Sequence, residues 1–346
     1  MTKPFGFKST TDDVLAEIDV TGKRILVTGV SAGLGLETTR ALASHGAQVV
    51  GTARDRDKAS KALAEAGLDR SSIELVELDL ADLGSVRSAA DRLRMGRRPL
   101  DLVIANAGVM APPPGLTADG FETQFGTNHL GHFAFVNRIA ALMRPGSRLV
   151  MLASSGHRFS DVDLMDPNFD KTPYDPFIAY GRSKTANILF AVEFDRRYRA
   201  LGLRATAVHP GGIQTELARH MGAERLQLLV DSINADLAKE GKPKMEWKTP
   251  QQGAATTLWA GLVADADDVG GRYCEDCQVS PVVSDESIGF ASPGVRPYAL
   301  DPETAKALWA KSEDWVSETF DLRLEATPVD ARARRDPQES RRNIPG

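Results

Sequence analysis

Short apolar runs alternate with amphipathic stretches along most of the chain. RILVTGV (24–30), AQVVGTAR (47–54), SIELVELDL (72–80), LDLVIANAG (100–108), SRLVMLASS (147–155) and LRATAVHPG (203–211) each read as a buried strand. RYCEDCQVSPV (272–282) reads as a further one. Helical patterns lie between them, such as ETTRALASHG (37–46), which closes on a helix-stopping glycine. Strands that alternate with helices imply βαβ units, and so a parallel sheet covered on both faces. Right-handed crossovers make this a doubly wound α/β fold with about seven mostly parallel strands.

Four segments fall outside that alternation. Residues 1–22 form an N-terminal lead with a short capped helix at TTDDVLAEI. Two stretches interrupt the main domain, 23–325: an insertion at 156–178 and a lid at 213–250. Residues 326–346 read as a flexible tail, with five arginines against three acids and little to bury.

Composition narrows the function classes. Of 346 residues, 42% are apolar and 26% charged, ordinary globular usage that excludes a collagen-like repeat. Two cysteines exclude a disulfide scaffold. A net charge of −5 makes nucleic acid an unsuitable partner. No apolar run approaches the roughly 18 residues that would suggest a membrane span. The first residues lack the apolar core of a signal peptide, so the expected location is cytoplasmic.

The first strand runs into Thr28-Gly29-Val30-Ser31-Ala32-Gly33-Leu34-Gly35, with a helix to follow. Gly29 suits a tight turn, Gly33 a close approach of backbone to a pyrophosphate, and Gly35 close helix–strand packing. The helix N-terminus supplies free N–H groups for phosphates. This strand–turn–helix context makes a Rossmann-type dinucleotide site, with Ser31 and Leu34 among its contacts. Arg54, after Ala53 at the end of the second strand, favours the 2′-phosphate of NADP(H), because a guanidinium binds phosphate bidentately. Asp55 is the rival that would bond a ribose 2′-OH and select NAD(H).

Tyr180 and Lys184 share a helix face. A phenol near pKa 10 is a poor acid–base group at neutral pH, and an adjacent ammonium would pull it down. So tuned, Tyr180 could exchange a proton with a substrate oxygen as hydride moves. Ser154 and Ser155 compete to hold that oxygen. Cys274-x-x-Cys277 lacks a second cysteine pair and holds two acids, Glu275 and Asp276, between its thiols, which reads as structural. His129, His132 and His157 read as packing or capping residues, and no metal is expected.

Four ordered motifs resemble the short-chain dehydrogenase/reductases: Thr28-Gly29-x-x-x-Gly33-x-Gly35, Asn106-Ala107-Gly108, Tyr180-x-x-x-Lys184 and Pro210-Gly211. DGFETQFGTNHLGHF (119–133), AYGRSKTANILF (179–190) and DPETAKALWAKSEDW (301–315) look like the retinol dehydrogenase and WW-domain oxidoreductase branch, without a WW domain. The resemblance implies that Asn128 supports a proton relay beside Lys184. It implies that Lys184 also binds the cofactor ribose, and that Tyr180 lies against the cofactor. It favours Ser154 over Ser155, through the spacings Arg148 to Ser154 and Ser154 to His157. It places Asp79 and Leu80 beside the adenine and Asn106, Ala107 and Gly108 along the cofactor. Pro210 and Gly211 lead to Ile213 and Thr215, which would hold the carboxamide and pyrophosphate.

The expected activity is interconversion of a hydroxyl and a carbonyl on a small apolar alcohol or carbonyl compound. Phe159, Leu164, Met165, Phe169, Tyr174, Phe177 and Ile178 would line its pocket. Leu217, Met221, Leu226, Leu228, Leu229, Met245 and Trp247 would close it. An NADP-linked double-bond reductase and a non-catalytic nucleotide-binding scaffold remain the alternatives. A homo-oligomer stays open.

Overall fold

Eight strands form one sheet: β1 (Arg24–Thr28), β2 (Gln48–Ala53), β3 (Ile73–Glu77), β4 (Leu100–Ala105), β5 (Met143–Leu152), β6 (Arg204–His209), β7 (Tyr273–Glu275) and β8 (Gln278–Val279). Their order is β3-β2-β1-β4-β5-β6-β7-β8. β1 to β7 pair in parallel, and β8 returns antiparallel to β7. This computed structural model describes residues 4–68, 73–214, 222–239, 241–284 and 293–321. The tail at 326–346 therefore lies outside the described residues.

The strand order reverses between β1 and β4. That opens a crevice at the carboxyl ends of the strands, where doubly wound sheets bind ligands. The last expected strand is a hairpin instead. Asp276 and Cys277 take φ of 50° and 55°, the left-handed pair that a tight two-residue turn requires. Apolar periodicity carries no signal for such a turn when neither residue is glycine or asparagine.

Each sheet face has its own apolar layer. Helices Leu83–Met95, Gly131–Ile139, Pro176–Tyr198 and Pro302–Val316 cover one face. Trp309 closes that layer edge-on to Phe133, with ring centroids 5.1 Å apart. Helices Gly33–Ser44 and Pro250–Leu258 cover the other. The lead belongs to this second layer rather than lying apart from it. In the helix Thr11–Leu15, Val14 and Leu15 are buried, and the Thr11 hydroxyl donates to Glu37 Oε1 at 2.6 Å.

The insertion folds onto its neighbouring helix through Arg182. Its Nη1 donates to the Asp166 carbonyl at 2.7 Å, its Nη2 pairs with Asp163 at 3.3 Å, and its guanidinium lies 4.1 Å from the Phe169 ring centroid. Arg182→Ala removes all three contacts at once. It is expected to cost about 2–3 kcal/mol and to speed proteolysis within 156–178. Wild-type cleavage rates in that variant would show that Arg182 does not anchor the segment.

Candidate active site

The glycine turn follows from backbone sterics. Gly29 and Gly33 take φ of +75° and +55°. A Cβ on Gly35 would lie 2.1 Å from the Gly29 carbonyl oxygen. The helix Gly33–Ser44 therefore packs hard against the turn, and its N-cap Ala32 offers no side-chain acceptor to the first-turn N–H groups. Those donors open onto a cavity of about 990 Å³.

The cavity wall gathers nearly all the expected cofactor residues. Gly29, Ser31, Gly33, Leu34 and Gly35 line it beside Arg54, Asp79 and Leu80. Asn106, Ala107, Gly108, Pro210, Gly211 and Ile213 complete that side, and Ser154, Tyr180 and Lys184 face the same space. Thr215 lies outside the described residues. Asn128 is placed differently: it is fully buried behind Gly108. Its Oδ1 accepts the Val109 N–H at 2.8 Å, and its Nδ2 donates to the Val109 carbonyl and to Ser183 Oγ, both at 3.0 Å. It sits in a widened turn, Phe125–Leu130, where the Gly131 N–H reaches back five residues to the Gly126 carbonyl.

Helix Pro176–Tyr198 presents Tyr180 and Lys184. Asp175 caps its first turn, and Pro176 suits its first position. Ser154 shares the cavity with Tyr180, and its hydroxyl accepts the Gly156 N–H at 3.0 Å. Ser155 is held instead by its N–H to His209 Nδ1 at 3.2 Å. A Cβ on Gly156 would lie 2.6 Å from the Tyr180 ring, so a small residue is needed for the ring to stand there.

The electrostatics differ from the sequence expectation. Burial pushes the Tyr180 phenol up to about 12, against the Ser154 hydroxyl, which lowers it. Burial also pushes Lys184 down to about 8. Lys184 Nζ donates to the Leu152 carbonyl at 3.2 Å and stands 5.5 Å from the Tyr180 ring centroid. At that separation its attraction for a phenolate does not offset the loss of water around the hydroxyl.

Asp55 caps helix Arg56–Glu65, with Oδ1 accepting the Lys58 N–H at 2.9 Å. Lys58 joins Arg54 on the cavity wall, a second cation missed in the sequence, where only its position four residues after Arg54 marked it. Phe7 of the lead also reaches the wall and was equally missed. Of the insertion's apolar residues only Phe159 and Phe177 line the cavity. Phe169 packs against Tyr174 instead, and Met165 is 74% exposed. Leu226, Leu229, Met245 and Trp247 line it as expected, Leu228 points outward, and Leu217 and Met221 fall outside the described residues. This wall is tied back to the turn after β6: Ile213 bridges Lys248, and the Lys248 N–H donates to the Gly212 carbonyl at 2.9 Å. The buried Lys248 ammonium pairs with Asp276 of the β7–β8 hairpin.

Burial pushes the Cys274 and Cys277 thiols up to about 12 and 11, so both stay protonated. Among the described residues no group of three His, Cys, Asp or Glu is placed to hold a metal ion. No helix among them is long and apolar enough to cross a membrane.

A parallel sheet that offers a glycine turn and a tyrosine–lysine pair to one cavity has the build of a nucleotide-dependent oxidoreductase. Comparison with known proteins agrees. Residues 23–226 match the short chain dehydrogenase family, and the chain belongs to it. A probable oxidoreductase of Streptomyces lividans is 42% identical over 308 residues, covering 87% of this chain and 99% of that protein. Retinol dehydrogenase 14 of Mus musculus is 34% identical over 312 residues, covering 85% and 86% respectively. A short chain dehydrogenase from Burkholderia cenocepacia, solved in complex with NADP, superposes with a TM-score of 0.57 at 24% identity, covering 75% of this chain and 98% of that one.

Proposed function

We propose that this oxidoreductase prefers NADP(H) and interconverts a hydroxyl and a carbonyl group on an apolar, medium-sized substrate. The observation that carries the reading is the convergence of Ser154, Tyr180 and, one helical turn on, Lys184 on the cavity that the glycine turn opens onto. The residues fit a dinucleotide, since Gly29 and Gly35 let the turn close tightly against Ala107 and the Gly29 carbonyl, beside a helix N-terminus without a side-chain cap that faces the cavity. When bound, the nicotinamide supplies the carbon that gives or takes hydride.

The chain's own groups do the rest. In reduction, the Tyr180 Oη–H donates its proton to the substrate oxygen, and in oxidation the phenolate takes it back. Ser154 Oγ holds the same oxygen and stabilises its developing charge. Lys184 holds the ribose, and its ammonium lowers the cost of the phenolate. Asn128 braces Val109 and Ser183 around Lys184, which supports a proton relay there. Phe159, Phe177 and Trp247 exclude water and favour apolar substrates.

The cofactor preference rests on Arg54 and Lys58 beside a cap-engaged Asp55. Arg54→Ala is expected to raise KM for NADPH about 10- to 100-fold, as for loss of a charge-assisted contact, and to leave KM for NADH within about 3-fold. Equal changes for both cofactors would remove Arg54 from phosphate recognition. The activity itself is tested with NADPH against 2-decanone, 1-tetralone and 2-decalone, and with NADP⁺ against the matching alcohols. NADPH binding without turnover of any of them would count against hydroxyl–carbonyl chemistry.

A further inference from the structure

We infer that two buried histidines, His132 and His157, are positioning residues. Each fixes, by one ring N–H on a main-chain carbonyl, a residue of the proposed site: Asn128 and Ser154 respectively. The inference rests on that reading of the site.

The ring states follow from the partners. His157 Nε2 receives the main-chain N–H of Arg296 at 3.1 Å, so it carries no proton. The proton is on Nδ1, which donates to the Ser154 carbonyl at 2.8 Å. For His132 the logic takes one more step. Thr28 Oγ1 accepts the N–H groups of Asn106 and Ala107, both at 2.9 Å, which occupies both of its lone pairs. Its own hydrogen is left for His132 Nε2 at 2.9 Å. His132 Nδ1 then donates to the Asn128 carbonyl at 2.9 Å.

The two rings therefore share one tautomer and one task. His132 ties the end of β1 and the end of β4, both on the cofactor side, to the widened turn that carries Asn128. His157 ties the segment around Arg296 to the turn that carries Ser154, and the Tyr298 hydroxyl secures it further by donating to the His157 carbonyl at 2.8 Å. Both rings are buried, and burial holds both in the neutral form that these bonds require. A charged ring would carry a proton on Nε2 and would lose the Arg296 bond at one site and the Thr28 bond at the other.

Asparagine places its amide nitrogen near the position of Nδ1, and glutamine near that of Nε2, so the two replacements separate positioning from filling. His157→Asn keeps the donor to Ser154 and is expected to hold kcat for NADPH-dependent ketone reduction within about 5-fold of wild type. His157→Gln loses that donor and is expected to lower kcat about 10- to 100-fold with KM for NADPH unchanged, as for an ångström-scale misplacement. The His132 pair is expected to behave alike. Equal losses in both replacements, or losses confined to KM, would overturn the inference. In full-length wild-type protein labelled with ¹⁵N-histidine, the ring nitrogens of His132 and His157 should report the neutral Nδ1–H tautomer between pH 6 and 8. A proton on Nε2 of either ring would overturn the inference without reference to turnover. Its failure is thus distinct from failure of the proposed activity.

Discussion

Tyr180→Phe is expected to lower kcat about 10²- to 10⁴-fold in both directions while NADPH still binds. Phenylalanine keeps the ring that stands over Gly156 and loses only the hydroxyl. The loss should therefore appear in kcat, with little change in Tm. Fluorescence titration with NADPH and steady-state turnover of a ketone would separate the two. Turnover equal to wild type would remove Tyr180 from the proton transfer. In the protein alone, burial raises the phenol to about 12, so the proton resides on Tyr180 at neutral pH. In the proposed mechanism that state serves reduction, and oxidation would need a further positive charge nearby to release the proton, which an oxidised nicotinamide would supply.

Acidification is expected to destabilise the fold steeply between about pH 6.5 and pH 4. Burial holds His129, His132, His157 and His209 down to about 3, 4, 4 and 3 respectively. Below about pH 6.5 the unfolded chain protonates these residues while the folded chain does not. The unfolded state then binds more protons, and stability falls with pH by on the order of 1 kcal/mol per unit for each histidine. Burial raises Glu122, Asp161 and Glu275, which works in the opposite sense. These are three groups against four, and hydrogen bonds to each partly offset the shift. Urea unfolding at pH 7.5, 6 and 5 would measure the slope. A midpoint unchanged across that range would show that the four rings are not held neutral.

The parallel strands, the glycine turn and the Tyr180–Lys184 pair were legible in the sequence because each depends on near neighbours. Periodicity sets a buried strand, a local steric need sets Gly29 and Gly35, and one helical turn sets the pair. Lys58 lay within reach of the same reasoning, but its role appears only once Asp55 is seen capping the helix. The histidine bonds were not legible. Thr28 and His132 are 104 residues apart and Arg296 and His157 are 139 apart, and no local pattern links them. The lead's burial was missed for a related reason: a five-residue helix is too short for its spacing to show which face is covered. The expected fall in the Tyr180 pKa rested on charge alone, because burial depth cannot be read from a four-residue separation.

The bridge between Ile213 and Lys248 gives the outer wall of the cavity a modular character. Both ends are pinned, one to the turn after β6 and the other, through Asp276, to the sheet edge. The described residues between them line the cavity with mostly apolar side chains, beside Gln214 and Glu246, while Ser154, Tyr180 and Lys184 come from other elements. The stretch behaves as a cassette, open to exchange over evolution or by design. The selection of substrate can drift there while the hydride and proton chemistry stays insulated from the change.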